Sequence, residues 1–517
     1  MRGEENDKAR GAPYKWRVLA GSTLGAAIVL ALLIASAKGE TAKPAVARGD
    51  PSTATLVATV DVADLPPPTR VERGALPFLA RDPAAFPAAK AAAGGPGAIR
   101  ESTEGVGAKP TLTRGTQLAG SIDFANDPCG CTPPDMALGL GNGFKMQQVN
   151  RAGRIWDANN DPAPIFDLSS FYATGSDLIQ DPWVLFDQTS QRWFAGIVDL
   201  RTLSERLAVS TSPSPASFNV YDIPQGSRDL CGDQAKIGVS DDVVAISANV
   251  RNKACFGDDI GVRITVLNKS QLIAGAGTVD AASFGPMRSY FSLVPAQSMT
   301  STSTQWYAGL DNPVFSRVAH IVRTEGTPPA PVTLTEVFTP SIKRVSVPPD
   351  AEQKDTIALL TTGDSRVDNV VWQDETLIFT SSTACIPADD TRARSCVRLI
   401  STDTSTGAIE IDRNQSQKGA YLFFPAVQVD SAGTIVLGYG RSSSTLFPEL
   451  DARPSDSAGV FGAKKVLVPG TAPNTTHRYG DYFAIAIDSS NPSQAWVAGE
   501  IGGDTWETAV RQVTLTP

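Results

Sequence analysis

Histidine is scarce: the 517 residues hold only His320 and His477. That excludes a zinc site built on several His and leaves little from which to build a Ser-His-Asp engine. Basic charge is also short. Lys plus Arg number 45 against 54 for Asp plus Glu, a net charge of −9, so a nucleic-acid partner, which needs a basic face, is not expected. Only 19% of residues are charged, while Gly (44) and Pro (37) abound, which is the wrong composition for a coiled coil or helical bundle. The chain lacks G-x-S-x-G, P-loop, H-E-x-x-H and G-x-G-x-x-G strings. Its six cysteines include no C-x-x-C pair, so neither a zinc knuckle nor a thioredoxin motif is present.

What is present begins with an address. Arg2, Lys8, Arg10, Lys15 and Arg17 precede an uncharged apolar run from Val18 to Ala37. About 20 apolar residues span a bilayer, and the basic flank stays in the cytoplasm. Ala35-Ser36-Ala37 also fits a signal-peptidase site, with cleavage after Ala37. Two readings follow: a membrane anchor through 18–37 with a cytoplasmic head at 1–17, or a cleaved signal. Either way the rest is exported, at the cell surface or secreted. In an oxidising compartment the cysteines should pair: Cys231 with Cys255, Cys385 with Cys396, and Cys129 with Cys131, although that last ring would be small and strained. Residues 38–114, rich in Ala and Pro, read as a disordered linker.

From 115 to 517 the pattern is short β-branched or aromatic runs split by Gly, Asp, Asn and Ser turns. An apolar strand, an Asp-led turn and a second strand recur at Val184-Leu-Phe-Asp187, Val427-Gln-Val-Asp430 and Ile485-Ala-Ile-Asp488. Units begin near 181, 233, 303, 366, 422 and 481, close to the repeat length of a four-stranded propeller blade. The expected fold is all-β: a β-propeller of six four-stranded blades, with seven as the alternative, preceded by one N-terminal apolar helix and the linker. The alternating segment Ala509–Thr516 should meet Gln117–Phe124, the first β-like segment after the linker, in one blade, closing the ring and removing an exposed edge.

Pro133-Pro-Asp-Met-Ala-Leu-Gly-Leu-Gly-Asn-Gly143, Asp181-Pro-Trp-Val-Leu-Phe-Asp187, Gly363-Asp-Ser-Arg-Val-Asp-Asn369 and Arg478-Tyr-Gly-Asp-Tyr482 stand in that order. Together they resemble motifs of exported bacterial proteins with a sialidase-like β-propeller. The resemblance spans about 115 to 517 and implies the fold, not an activity. The Arg-Ile-Pro strand motif of true sialidases is absent, as is a full Ser-x-Asp-x-Gly-x-Thr-Trp box.

Several units open with a charged residue ahead of the first apolar strand: Asp135, Asp181, Asp233, Arg366, and Arg478 with Asp481. Blades surround a central channel, so these side chains are expected to converge at one mouth. There they would form either a binding site for a carbohydrate or protein ligand, or a buried ion-pair ring tying blades together. An exported binding module is the first functional reading. A glycoside-processing hydrolase or lyase using the mouth carboxylates is the alternative. Asp157, Asn159 and Asp161 match the first ligand positions of a calcium loop, but Pro162 replaces the turn glycine, so an Asx-rich turn competes with calcium there.

Overall fold

The computed structural model describes residues 46–69, 79–93, 98–101, 109–127, 130–224, 227, 229–253, 255, 257–487, 491–503 and 505–516. The hairpins are made by aspartates. Asp187 ends the strand Ile179–Asp187, and its carboxylate accepts the N–H groups of Thr189 (3.3 Å) and Ser190 (3.0 Å). Asp430 does the same for Ala432 (2.9 Å) and Thr434 (2.7 Å). These Asx turns fold each strand back on its predecessor. The third expected turn, at Asp488, lies outside the described residues.

Among the described residues the hairpins assemble into seven antiparallel four-strand meanders. Meanders I to VI occupy 137–167, 179–224, 231–287, 291–338, 367–415 and 421–468. Meander VII takes three strands from 484–516 and its fourth from Thr111–Gln117. The first strand of each meander lies against the first strand of the next. Ala484–Ile487 in turn lies against Ala137–Gly141, so the circuit closes. Apolar side chains fill the space between neighbours: Phe171, Trp193 and Phe218 between I and II, Tyr221, Ile246 and Leu267 between II and III, and Leu399, Val427 and Tyr439 between V and VI. Because meanders are covered on both faces, strands such as Val243–Arg251 and Tyr421–Val429 are buried at every residue. Trp193, Trp306, Trp372, Trp496 and Trp506 belong to this core.

The two ends meet, but the paired strand is Thr111–Gln117, ahead of the expected Gln117–Phe124, which adds the isolated bridge between Asp123 and Glu507. Thr516 pairs with Thr111 and Arg511 with Gln117. The six units read from sequence correspond to meanders II to VII, and meander I is the additional one.

The linker reading of 38–114 is corrected. Asp50–Asp61 is a twelve-residue strand. Residues 50–55 pair with Thr278–Met287 of meander III and residues 55–61 with Ser217–Pro224 of meander II. Val46–Arg48 pairs with Thr333–Phe338 of meander IV. The segment thus clips three outer edges, and its backbone groups are taken up by ladders on both sides. Phe86–Ala92 forms a short helix. Cys231–Cys255 and Cys385–Cys396 are paired. Cys129 and residues 1–37 lie outside the described residues; among the described ones no helix is long and apolar enough to cross a membrane.

Candidate functional site: a buried polar mouth

At one end of the circuit each first strand begins with a distortion. Asp135 (φ 51°), Asp181 (58°), Gln234 (50°), Ser292 (48°), Phe424 (51°) and Asp481 (77°) all occupy the left-handed region at or just ahead of a first strand. Ladder registers slip in several of these strands, between Asp233 and Lys236, Phe291 and Val294, and Phe423 and Ala426. In meander V the slip falls between Val367 and Asn369, at Asp368. A non-glycine residue adopts this backbone at a cost, and bulges re-aim side chains. Here the same strained device recurs in six of the seven meanders on one side of the molecule.

The result is a cluster. All six residues proposed from sequence are brought into electrostatic reach of one another: Asp135, Asp181, Asp233, Arg366, Arg478 and Asp481. None is more than 9% exposed. Asn150 ties two of them together, donating to Asp135 Oδ2 (2.9 Å) and accepting from the Asp181 N–H (3.2 Å). Asp181 Oδ2 also accepts the Gln234 N–H at 2.9 Å. Arg478 Nη2 bonds Asp481 Oδ2 at 2.7 Å. Arg366 makes a two-pronged contact with Asp364, at 2.8 and 2.9 Å.

Sequence reasoning missed Asp364, Asp368, Lys236 and Arg251. Asp364 and Asp368 stand within the Gly363 to Asn369 motif, two residues either side of Arg366. Lys236 is the most unusual of the four. Its ammonium lies 4.2 Å from the Trp183 ring centroid and 3.4 Å from that of Tyr482, and no hydrogen-bond acceptor reaches it. Tyr482 donates its hydroxyl to the Pro182 carbonyl (2.9 Å), which holds its ring in place. Burial lowers the Lys236 pKa to about 8, against the pull of Asp181 and Asp368. Burial also raises Asp233 to about 7, with Asp181 adding to the rise and Arg366 and Arg251 opposing it. Asp135 and Asp368 are pushed well above the usual carboxylate range, again chiefly by burial.

Several polar atoms here have no partner. Asp135 Oδ1, Asp233 Oδ2, Asp481 Oδ1 and Lys236 Nζ are buried and make no hydrogen bond. The cluster is therefore only partly the self-satisfied ion-pair ring that the sequence also allowed. Further along the axis a narrow cavity is lined mostly by apolar residues, including Leu138, Val184, Phe186 and Ile485, together with Gln297 and Gln428.

A segment from outside the meanders covers one side of the mouth. The Leu79 carbonyl accepts from Arg366 Nη2 (2.9 Å) and the Ala80 carbonyl from Arg251 Nη2 (2.5 Å). Arg81 donates to the carbonyls of Asp311 (3.1 Å) and Arg288 (2.9 Å) and lies over the Phe291 ring. Lys90 pairs with Asp350 at 2.8 Å and donates to Thr362 and to the Pro348 carbonyl.

Asp157, Asn159 and Asp161, the candidate calcium residues, lie in the turn that follows Ala152–Trp156. Asp157 Oδ1 accepts the N–H groups of Asn159 (2.8 Å) and Asp161 (2.9 Å), and the Lys145 ammonium bonds the Asp157 carbonyl (3.2 Å). A cationic side chain already sits there, and the triplet is an Asx turn. Among the described residues no group of three or more His, Cys, Asp or Glu is placed to hold a metal.

No protein-family model and no curated protein matches the chain. Solved structures with a similar strand layout include a polysaccharide lyase, at 8% identity and TM-score 0.38, covering 89% of this chain and 99% of the lyase. A Hadza microbial sialidase is similar at 8% identity and TM-score 0.37, covering 71% of this chain and 73% of its own. The α-L-arabinofuranosidase of Fusarium graminearum is similar at 12% identity and TM-score 0.33, covering 65% of this chain and 93% of the enzyme. The functional reading rests on the site alone.

Proposed function

We propose that the seven meanders are the blades of a β-propeller whose buried mouth binds a hydroxylated ligand, a carbohydrate. The observation that carries this reading is the set of unpartnered buried atoms at the mouth: three carboxylate oxygens and one ammonium. Leaving such groups unsatisfied is costly, so a partner that both accepts and donates is favoured. Sugar hydroxyls do both. A metal ion would serve the carboxylates and leave Lys236 bare. Calorimetric titration with neutral, amino and acidic oligosaccharides tests the reading. Wild-type protein should bind at least one, and Asp135→Asn and Asp233→Asn should each weaken that binding about tenfold, the loss of roughly one buried hydrogen bond to the ligand. Folded wild-type protein that binds none of the panel would refute it.

A second reading is favoured by one observation. Asp233 lies in electrostatic contact with Asp181, burial raises both, Asp233 to about 7, and a coupled pair of carboxyl groups is the equipment of a glycoside-processing hydrolase or lyase. Turnover of aryl glycosides or polysaccharides that disappears in Asp181→Ala and Asp233→Ala would establish this reading over simple binding.

Export and membrane tethering complete the proposal. They are supported by the basic head and apolar run of residues 1–37 and by two paired disulfides, which suit an oxidising compartment. External protease should degrade the propeller on intact cells, and full protection would argue against export.

A further inference from the structure

We propose that residues 79–93 are a displaceable strap that closes the mouth, with the Leu79 and Ala80 carbonyls holding in cis the Arg366 and Arg251 donors that an incoming ligand would use. The proposal rests on the binding reading above and adds a control to it.

The contacts are those of a ligand. Two consecutive backbone oxygens reach two guanidinium groups from different blades, Arg366 ahead of the first strand of meander V and Arg251 at the end of the second strand of meander III. Both arginines face Asp233, one of the carboxylates with an unpartnered oxygen. A hydroxylated ligand seated on Asp233 would meet the strap carbonyls at the same two side chains. Strap and ligand therefore compete for the same donors.

The strap is also weakly held. Of residues 79–93 only Ala80 and Ala93 are fully buried, and the helix Phe86–Ala92 covers no large apolar side chain, its best-covered group being the Lys90 side chain at 11% exposure. Away from the two arginines it is fastened by the polar contacts of Arg81 and Lys90. The other N-terminal segment differs sharply, since Asp50–Asp61 is paired along its length, residues 50–55 to one strand and 55–61 to another. Segments with little buried apolar surface open at low cost while the rest of the fold stays intact. Opening here leaves the blades unchanged and frees one oxygen-binding direction on each arginine.

Arginine labelling tests this without any ligand. Full-length protein is treated with phenylglyoxal and the modified arginines are mapped by mass spectrometry. Arg81→Ala combined with Lys90→Ala removes the fastenings and leaves the mouth residues in place. A strap that is closed most of the time should slow labelling of Arg251 and Arg366 about tenfold in wild type relative to the double variant. Equal labelling in the two folded proteins overturns the strap. If the double variant loses its cooperative thermal transition, a site-specific protease sequence replacing residues 83–85 and cut after folding gives the same comparison, read in the same way. With the oligosaccharide that binds wild type, the opened protein should bind about tenfold more tightly, and weaker binding would overturn the competition. If no oligosaccharide binds either protein, the carbohydrate reading fails while the labelling rates still decide the strap.

Discussion

The aspartate at 233 and the lysine at 236 make the pH dependence of this protein a matter of single residues. An unfolded Asp ionises near about 4, whereas folded Asp233 keeps its proton up to about 7. Between those values the native state binds the extra proton, so stability falls as pH rises. Glu500, raised to about 8 by burial, acts in the same direction. Lys236 acts oppositely and higher. It releases its proton near about 8 when folded, but only near about 10.4 when unfolded. Stability therefore recovers as pH climbs through that upper window. Urea unfolding should give a lower free energy at pH 8 than at pH 5. Asp233→Asn, which copies the neutral acid, should reduce that fall and be more stable than wild type at pH 8. An unchanged slope would remove Asp233 from the account. Lys236 itself was hidden in the sequence because Cys231-Gly-Asp-Gln-Ala235, which precedes it, carries no motif or repeat that singles out a lysine. Only the register slip between Asp233 and Lys236 turns it toward the mouth. The six charged residues at strand starts were legible because the chain repeats them ahead of apolar runs.

Strands differ in how plainly the sequence announces them. Val243-Val-Ala-Ile246 and Ile435-Val-Leu437 are continuous apolar runs rich in β-branched residues, whereas Ala137-Leu-Gly-Leu-Gly141 is broken by glycines, which hides meander I in the sequence. Those glycines serve packing. A Cβ on Gly141 would lie 2.2 Å from the Phe186 ring, and one on Gly139 would lie 2.7 Å from Val184. The strand Asp50–Asp61 was missed for the opposite reason. Its Thr53-Ala-Thr-Leu-Val-Ala-Thr-Val60 is β-branched and alternating, but it is embedded in Ala- and Pro-rich surroundings whose composition argued for disorder. Removing residues 46–61 should expose the edges of Ser217–Pro224 and Thr278–Met287. The shortened protein should melt at a lower temperature and associate with rising concentration in light scattering. A monomer of unchanged melting temperature would mean the clip is idle. The disulfide between Cys385 and Cys396 joins two neighbouring strands across an 11-residue separation. Replacing both cysteines by alanine should cost about 2–4 kcal/mol in urea unfolding, and no loss would show that the hairpin is held by its ladder alone.

At the scale of the whole molecule, each meander buries its faces against two neighbours, and the last one borrows a strand from the first part of the chain. Deleting residues 478–517 should therefore abolish the cooperative thermal transition and the near-UV dichroism of the whole β-rich region. A truncated protein that kept both would show that the meanders are stable as an open array. The borrowed strand also imposes a schedule on synthesis. Gln117 and its partner Arg511 lie 394 residues apart, so at ordinary elongation rates the first waits roughly 20–80 s for the second to be made. Until then the seam edge of meander VII has no mate, and the nascent chain has to be kept from pairing with other chains. A chain released before Arg511 is made carries no partner for Thr111–Gln117, and its seam stays open.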